Sequence, residues 1–142
     1  MLQLLEYPLH PLVTAFSTER GVECQHSCDT ETPDEAYNGF NITHYCGDDA
    51  AHVTSCKDDL AKQLRISTQH ILLPRQVHGT KVAIVTNTTT ANELEGIDAL
   101  VTNETQLCIG ISTADCIPLL FFDPTHKAIA AAHAGWRGTV AN

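Results

Sequence analysis

The chain has 142 residues, 43% of them hydrophobic and 18% charged, with a formal net charge of −9 at pH 7. That balance describes an ordinary globular protein, and the acidic excess argues against nucleic acid and anionic membrane as partners, since both select basic patches. No apolar stretch approaches the roughly 20 residues of a spanning helix, and the start of the chain, with Glu6, Pro8 and Pro11 and no basic region, lacks the pattern of a secretory signal.

A cytoplasmic location is the default expectation, and the six cysteines are then expected to be thiols rather than disulfides. In chain order, Leu12 to Ser17 reads as a short strand, and the polar, aperiodic run from Glu19 to Tyr37 as a long surface loop. Cys24 and Cys28 lie in that run without a second ligand pair at fixed spacing, so a structural metal site there is disfavoured. Asp48 and Asp49 then open a segment in which Val53, Cys56, Leu60 and Leu64 recur at helical intervals, which predicts an amphipathic helix with an acidic first turn.

From Ile71 onward the pattern changes to short β-rich runs: Ile71–Leu73, Val82–Thr86, Ala99–Thr102, Leu107–Ser112, Ile117–Phe122 and Ala128–Ala132. Asp123-Pro-Thr-His126 punctuates the last two and predicts a hairpin. Ile117-Pro-Leu-Leu-Phe-Phe122 is continuously apolar, as expected of a strand covered on both faces. The fold class expected is α+β, a layered sandwich of mixed β-sheet flanked by helices. Residues 1–142 read as one domain, and the break soon after His133-Ala-Gly-Trp-Arg-Gly138, where a helix is about to begin, reads as the N-terminal portion of a longer one.

Three residues stand out chemically. Cys116, in Thr113-Ala-Asp-Cys-Ile-Pro118, follows Asp115 at a turn between apolar runs; His78 precedes Gly79 in a tight turn; His133 ends a run of small residues. A thiolate and two imidazoles make a zinc ligand set with one open position, which is the feature that separates a catalytic zinc from a structural one. The remaining histidines, His10, His26, His44, His52, His70 and His126, read as solvated. Arg75, Lys81 and Arg137 cluster beside the ligand motifs and leave room for an anionic small molecule.

Gln76-Val-His78-Gly79, Asp98-Ala-Leu-Val-Thr102, Thr113-Ala-Asp-Cys116-Ile-Pro118 and His133-Ala-Gly-Trp-Arg-Gly138, in that order, resemble the successive motifs of the laccase-domain family. That family also goes by the names multicopper polyphenol oxidase-like proteins, zinc-type purine nucleoside phosphorylases and peptidoglycan editing factors. The resemblance extends upstream to Phe16-Ser-Thr18, Asn38-Gly-Phe-Asn41 and Gly47-Asp-Asp49. It implies that His78, Cys116 and His133 hold zinc, and that the chain acts on small molecules: phosphorolysis of adenosine, inosine and methylthioadenosine with phosphate, and deamination of adenosine. One departure is Phe16-Ser-Thr-Glu19-Arg20-Gly21, where the arginine stands one position later than the family's pattern, so no substrate role is assigned to Arg20.

On this reading Cys116 serves catalysis as a metal ligand, Asp115 accepts or orients a proton, Arg137 holds phosphate through its planar fork, and Asn41 and Gln76 contact substrate. An open zinc position offers a Lewis acid that brings the pKa of water toward about 7. Copper oxidation, which the family's older name invites, is disfavoured: the sole methionine is Met1 and no His-x-His pair exists to build further copper sites. Zinc-dependent hydrolysis of an amide in a peptidoglycan precursor is the rival enzyme reading. A non-catalytic zinc module would need a fourth protein ligand, and none stands beside the motifs.

Overall fold

A computed structural model describes residues 2–20 and 39–141; Cys24, Cys28, His26 and most of the expected surface loop lie outside the described residues. The chain divides after Thr68 into two units, each with its own local order.

In the first unit, β1 (Leu4–His10) and β2 (Val13–Thr18) form an antiparallel pair whose register shifts between Tyr7 and His10. Pro8 lies at that shift, where a residue without an N–H does least harm to a ladder. Helix α1 (Ala50–Leu64) follows, started by Asp49, whose carboxylate accepts the N–H groups of Ala51 and His52 at 2.9 and 3.0 Å. The acidic pair expected in the first turn therefore stands just ahead of it, with Asp49 as the cap. Val53, Cys56 and Leu60 are buried as their spacing predicts, and His52 and Ala61 join the same stripe. His52 is thus not solvated: its Nδ1 lies 2.8 Å from Asp48 and its Nε2 3.5 Å from Cys56 Sγ.

The second unit holds a mixed four-stranded sheet in the order β4-β5-β8-β7, from β4 (Val82–Ile84), β5 (Ala99–Thr102), β7 (Ile117–Asp123) and β8 (Ala128–Ala134). β4 runs parallel to β5; β8 is antiparallel to both β5 and β7. A two-residue parallel pair, β3 (Ile71–Leu72) with β6 (Cys108–Ile109), lies apart from that sheet in hydrogen bonding. Leu72, Val85, Leu94, Leu100 and Leu107 form the buried cluster, with Ala83, Ile97 and Ile109 packed against it. The five-residue helix α2 (Trp136–Val140) begins directly after β8.

The α+β class holds, with mixed sheet pairing and two helices. β7 and β8 form the hairpin predicted around Asp123-Pro-Thr-His126, whose tip is tied by Asp123 Oδ1 accepting the N–H groups of Thr125 and His126. One expectation is corrected. β7 is not covered on both faces: it is an edge strand, with Ile117, Leu119, Leu120 and Phe121 all exposed. Its continuous apolar run lacks the covering layers such a run ordinarily has. Among the described residues no helix is long and apolar enough to cross a membrane.

Candidate metal centre

The antiparallel order of the sheet brings three strand ends together. β5 starts, β7 starts and β8 finishes at the same end, with Ala99 opposite Ala132 and Pro118 opposite His133. Asp98 immediately precedes β5, Cys116 immediately precedes β7, and His133 is the penultimate residue of β8. His78 comes from the segment between β3 and β4.

His78 has φ +62°, in the left-handed region that residues with a Cβ occupy uncommonly. What holds it is the Asp98 carboxylate. Asp98 Oδ1 accepts the N–H of His78 at 2.8 Å, and Oδ2 accepts those of Gly79 at 2.9 Å and Val77 at 3.3 Å. Three successive amides thus close around one anion, a backbone concavity built for negative charge. The main chain of Asp98 is equally committed, its N–H donating to Lys81 and its carbonyl accepting the N–H of His133 at 2.8 Å.

The same carboxylate reaches a candidate ligand side chain: His133 Nδ1 lies 3.0 Å from Asp98 Oδ1, with both side chains almost fully buried. Burial pushes the Asp98 carboxyl up, but bonds from Gly79, His133, Val77 and His78 more than offset it and hold it below the ordinary carboxylate value. A histidine whose Nδ1 faces a carboxylate has Nε2 as its other candidate ligand atom.

The ligand atoms of His78, Cys116 and His133 all lie within 4.8 Å of one another, and among the described residues this is the one such cluster of histidines, cysteines or carboxylates. A tetrahedral ion with bonds near 2.0–2.3 Å has ligand atoms about 3.5 Å apart, a spacing of the same order as that of this group. The two imidazoles meet edge to face, ring centroids 4.7 Å apart. His133 is buried, Cys116 half-buried and His78 exposed, so the group runs from the interior to the surface. Gly135 sits against all three: a Cβ there would lie 3.2 Å from His78 Cδ2 and 3.3 Å from both Cys116 Sγ and His133 Cε1. The donor set suits one soft-to-borderline ion.

Other residues singled out in the sequence fall in different places. Gln76 spends both ends of its amide on Ser112, donating to its carbonyl at 2.8 Å and accepting its N–H at 2.7 Å, which ties the His78 segment to the one leading into Cys116. Asp115 and Arg137 are exposed, and the Arg137 guanidinium lies 5.5 Å from the centroid of the Trp136 ring. Asn41 belongs to the first unit, where its amide donates to Asp48 at 2.8 Å and Cys46 at 3.2 Å while its oxygen accepts the N–H of Thr43. Asp98 opens the Asp98-Ala-Leu-Val-Thr102 motif, and its partners are not visible in the sequence. The available signal was an acidic residue opening an apolar strand, a position that requires a buried carboxylate to find several partners.

Residues 26–142 match the family described as multi-copper polyphenol oxidoreductase laccase. The chain belongs to this family. Among curated members, it is 40% identical over 135 residues to adenosine deaminase RL5 from an unknown prokaryotic organism, covering 90% of this chain and 48% of that one. It is 40% identical over 112 residues to a purine nucleoside phosphorylase of Bacteroides thetaiotaomicron, covering 74% and 42%. Among solved structures it superposes on YlmD from Geobacillus stearothermophilus with a TM-score of 0.77 at 28% identity, covering 94% of this chain and 49% of that one. The hypothetical protein YfiH of Bacillus licheniformis gives 0.75 at 26%, covering 89% and 47%. This laccase-family chain therefore spans about half the length of the relatives it matches.

Proposed function

We propose that this laccase-family chain carries the zinc centre of a cytoplasmic purine nucleoside phosphorylase acting on adenosine, inosine and methylthioadenosine, with adenosine deaminase activity. The observation that carries the reading is the convergence of His78, Cys116 and His133 within 4.8 Å, with His78 exposed. Relatives named for adenosine deaminase and purine nucleoside phosphorylase supply the substrate class. Zinc is favoured over copper by the donor set: a multi-copper centre needs further histidines, and the described residues hold a single group of three ligands.

When bound, the ion supplies a Lewis acid able to polarise a substrate oxygen and to bring the pKa of water toward about 7. The protein's own residues do the rest. His133, oriented through Nδ1, and Cys116 hold the interior side, and His78 closes the set. Asp115, next to Cys116 and exposed, accepts or orients a proton. Arg137, exposed on α2, takes phosphate through its planar fork, with Trp136 beside it as an apolar surface. Gln76 acts on substrate only through the Ser112 segment that it fixes, and Asn41, bonded within its own loop, shapes that loop for substrate contact.

Metal analysis of purified chain is expected to give one zinc, and Cys116→Ala to lose it. Stoichiometric zinc retained by that variant would contradict the assignment. Incubation with adenosine is expected to release adenine only when phosphate is present, and inosine with or without it. If adenine, hypoxanthine and inosine are all absent, the nucleoside reading falls and an amide substrate takes its place.

A further inference from the structure

We propose that Asp98 is the positioning residue of this centre, a single carboxylate that sets the tautomer of one metal ligand and the backbone conformation of another. The inference rests on the metal reading above and concerns how the ligands are presented. Asp98 Oδ1 is shared by the N–H of His78 at 2.8 Å and the ring Nδ1 of His133 at 3.0 Å. Two ligands that are 55 positions apart in sequence are therefore referred to the same oxygen atom.

The consequences for each differ. For His133, a proton on Nε2 would leave the Nδ1 lone pair facing a carboxylate oxygen, two acceptors at hydrogen-bond distance. The stable arrangement has the proton on Nδ1 and the Nε2 lone pair free for the ion. For His78, the bonds to Val77, His78 and Gly79 hold φ at +62°, a conformation uncommon for any residue with a Cβ. Without them the segment is free to relax and carry the imidazole away from Cys116 and His133. Asp98 is suited to this role by immobility: it is 2% exposed, and its own N–H and carbonyl are bonded to Lys81 and His133.

Asp98→Asn is isosteric and tests the point, because an amide can offer an acceptor to only one side. Either the His133 ring or the Gly79 and Val77 amides then face an NH2 group. Cobalt(II) titration, followed by the visible ligand-field bands and by competition with zinc, is expected to show about 10- to 100-fold weaker binding in Asp98→Asn. Leu100→Ala, which opens the core without touching the centre, is expected to lower the unfolding midpoint while leaving cobalt affinity within about twofold. Equal affinity and an unchanged spectrum in a folded Asp98→Asn chain would overturn the proposal.

A second measurement needs no variant. Two-bond 15N–1H correlation spectra of the metal-free wild-type chain are expected to show His133 protonated on Nδ1; protonation on Nε2 overturns the proposal even if Asp98→Asn fails to fold. The two levels fail separately. No cobalt uptake by the wild-type chain sinks the metal reading itself, whereas uptake that survives Asp98→Asn undiminished sinks only the role of Asp98.

Discussion

Gly135 shows how much a missing methyl group can decide. Its φ of −81° is open to any residue, so its value lies in the space it leaves beside His78, Cys116 and His133 rather than in backbone freedom. Gly135→Ala keeps the backbone and inserts one carbon among the three ligand side chains at 3.2–3.3 Å, closer than such contacts ordinarily come. Overpacking of this kind costs about 1–3 kcal/mol. Metal affinity, measured against a chromophoric chelator, is expected to drop by about tenfold or more. Undiminished affinity would mean that the ligands can move aside and that the space is not needed. Gly138 has a different reason to be glycine, since a Cβ there would meet the carbonyl oxygen of Gly79 at 2.6 Å and push α2 off the His78 segment.

At the scale of elements, α1 ends on a conformation that its sequence does not favour. Arg65 adopts φ +57°, ψ +40°, with its N–H bonded to Ala61 and Lys62 and that of Ile66 reaching Ala61 at 3.1 Å. This termination belongs to glycine, and a residue with a Cβ pays about 1–2 kcal/mol for it. Arg65→Gly is expected to raise stability in urea by about 1 kcal/mol; a fall would mean that the Arg65 side chain contributes more than its backbone strain removes. Elements written in local pattern were legible in the sequence. β5 spans the expected residues, the β7–β8 hairpin forms around Asp123-Pro-Thr-His126, and α1 buries Val53, Cys56 and Leu60. Elements that depend on distant partners were not. β1 carries no strand signal in the sequence, since Pro8 interrupts it, and the edge strand tolerates that proline where the register shifts. His52 read as solvated because its partner Asp48 and its neighbour Cys56 become visible only when the helix is wound. The cluster of His78, Cys116 and His133 was legible through the turns and strand ends that carry it; Asp98 was not, because its partners lie 19–21 residues upstream and 35 downstream.

For the whole molecule, the −9 charge makes acid the revealing variable. In the first unit Asp48 is desolvated, which raises its pKa, yet bonds from Asn41, His52 and the Asp49 N–H hold it below the ordinary 3.8. A carboxylate depressed by folding contributes stability that is fully present above its unfolded value and is lost as pH falls through the lower folded one. Resistance to urea is therefore expected to decline as pH drops below about 4. Asp48→Asn should lose about 1–3 kcal/mol at pH 7, and the gap from wild type should narrow in that acid range. A gap that stays constant down to pH 2 would show that Asp48 titrates alike in both states. The β7–β8 hairpin bears on folding in another way. Cys116 stands at the foot of one arm and His133 near the foot of the other, with Pro118 paired to His133. Side chains alternate faces along a strand, so a one-residue slip between the arms would turn His133 to the opposite face of the sheet. Ala128, Ala130, Ala131 and Ala132 are alike in size, so register along this arm falls to Ile129 and to the turn tied by Asp123. On the proposed reading, an ion held by both feet of the hairpin would accept only the native pairing of its arms.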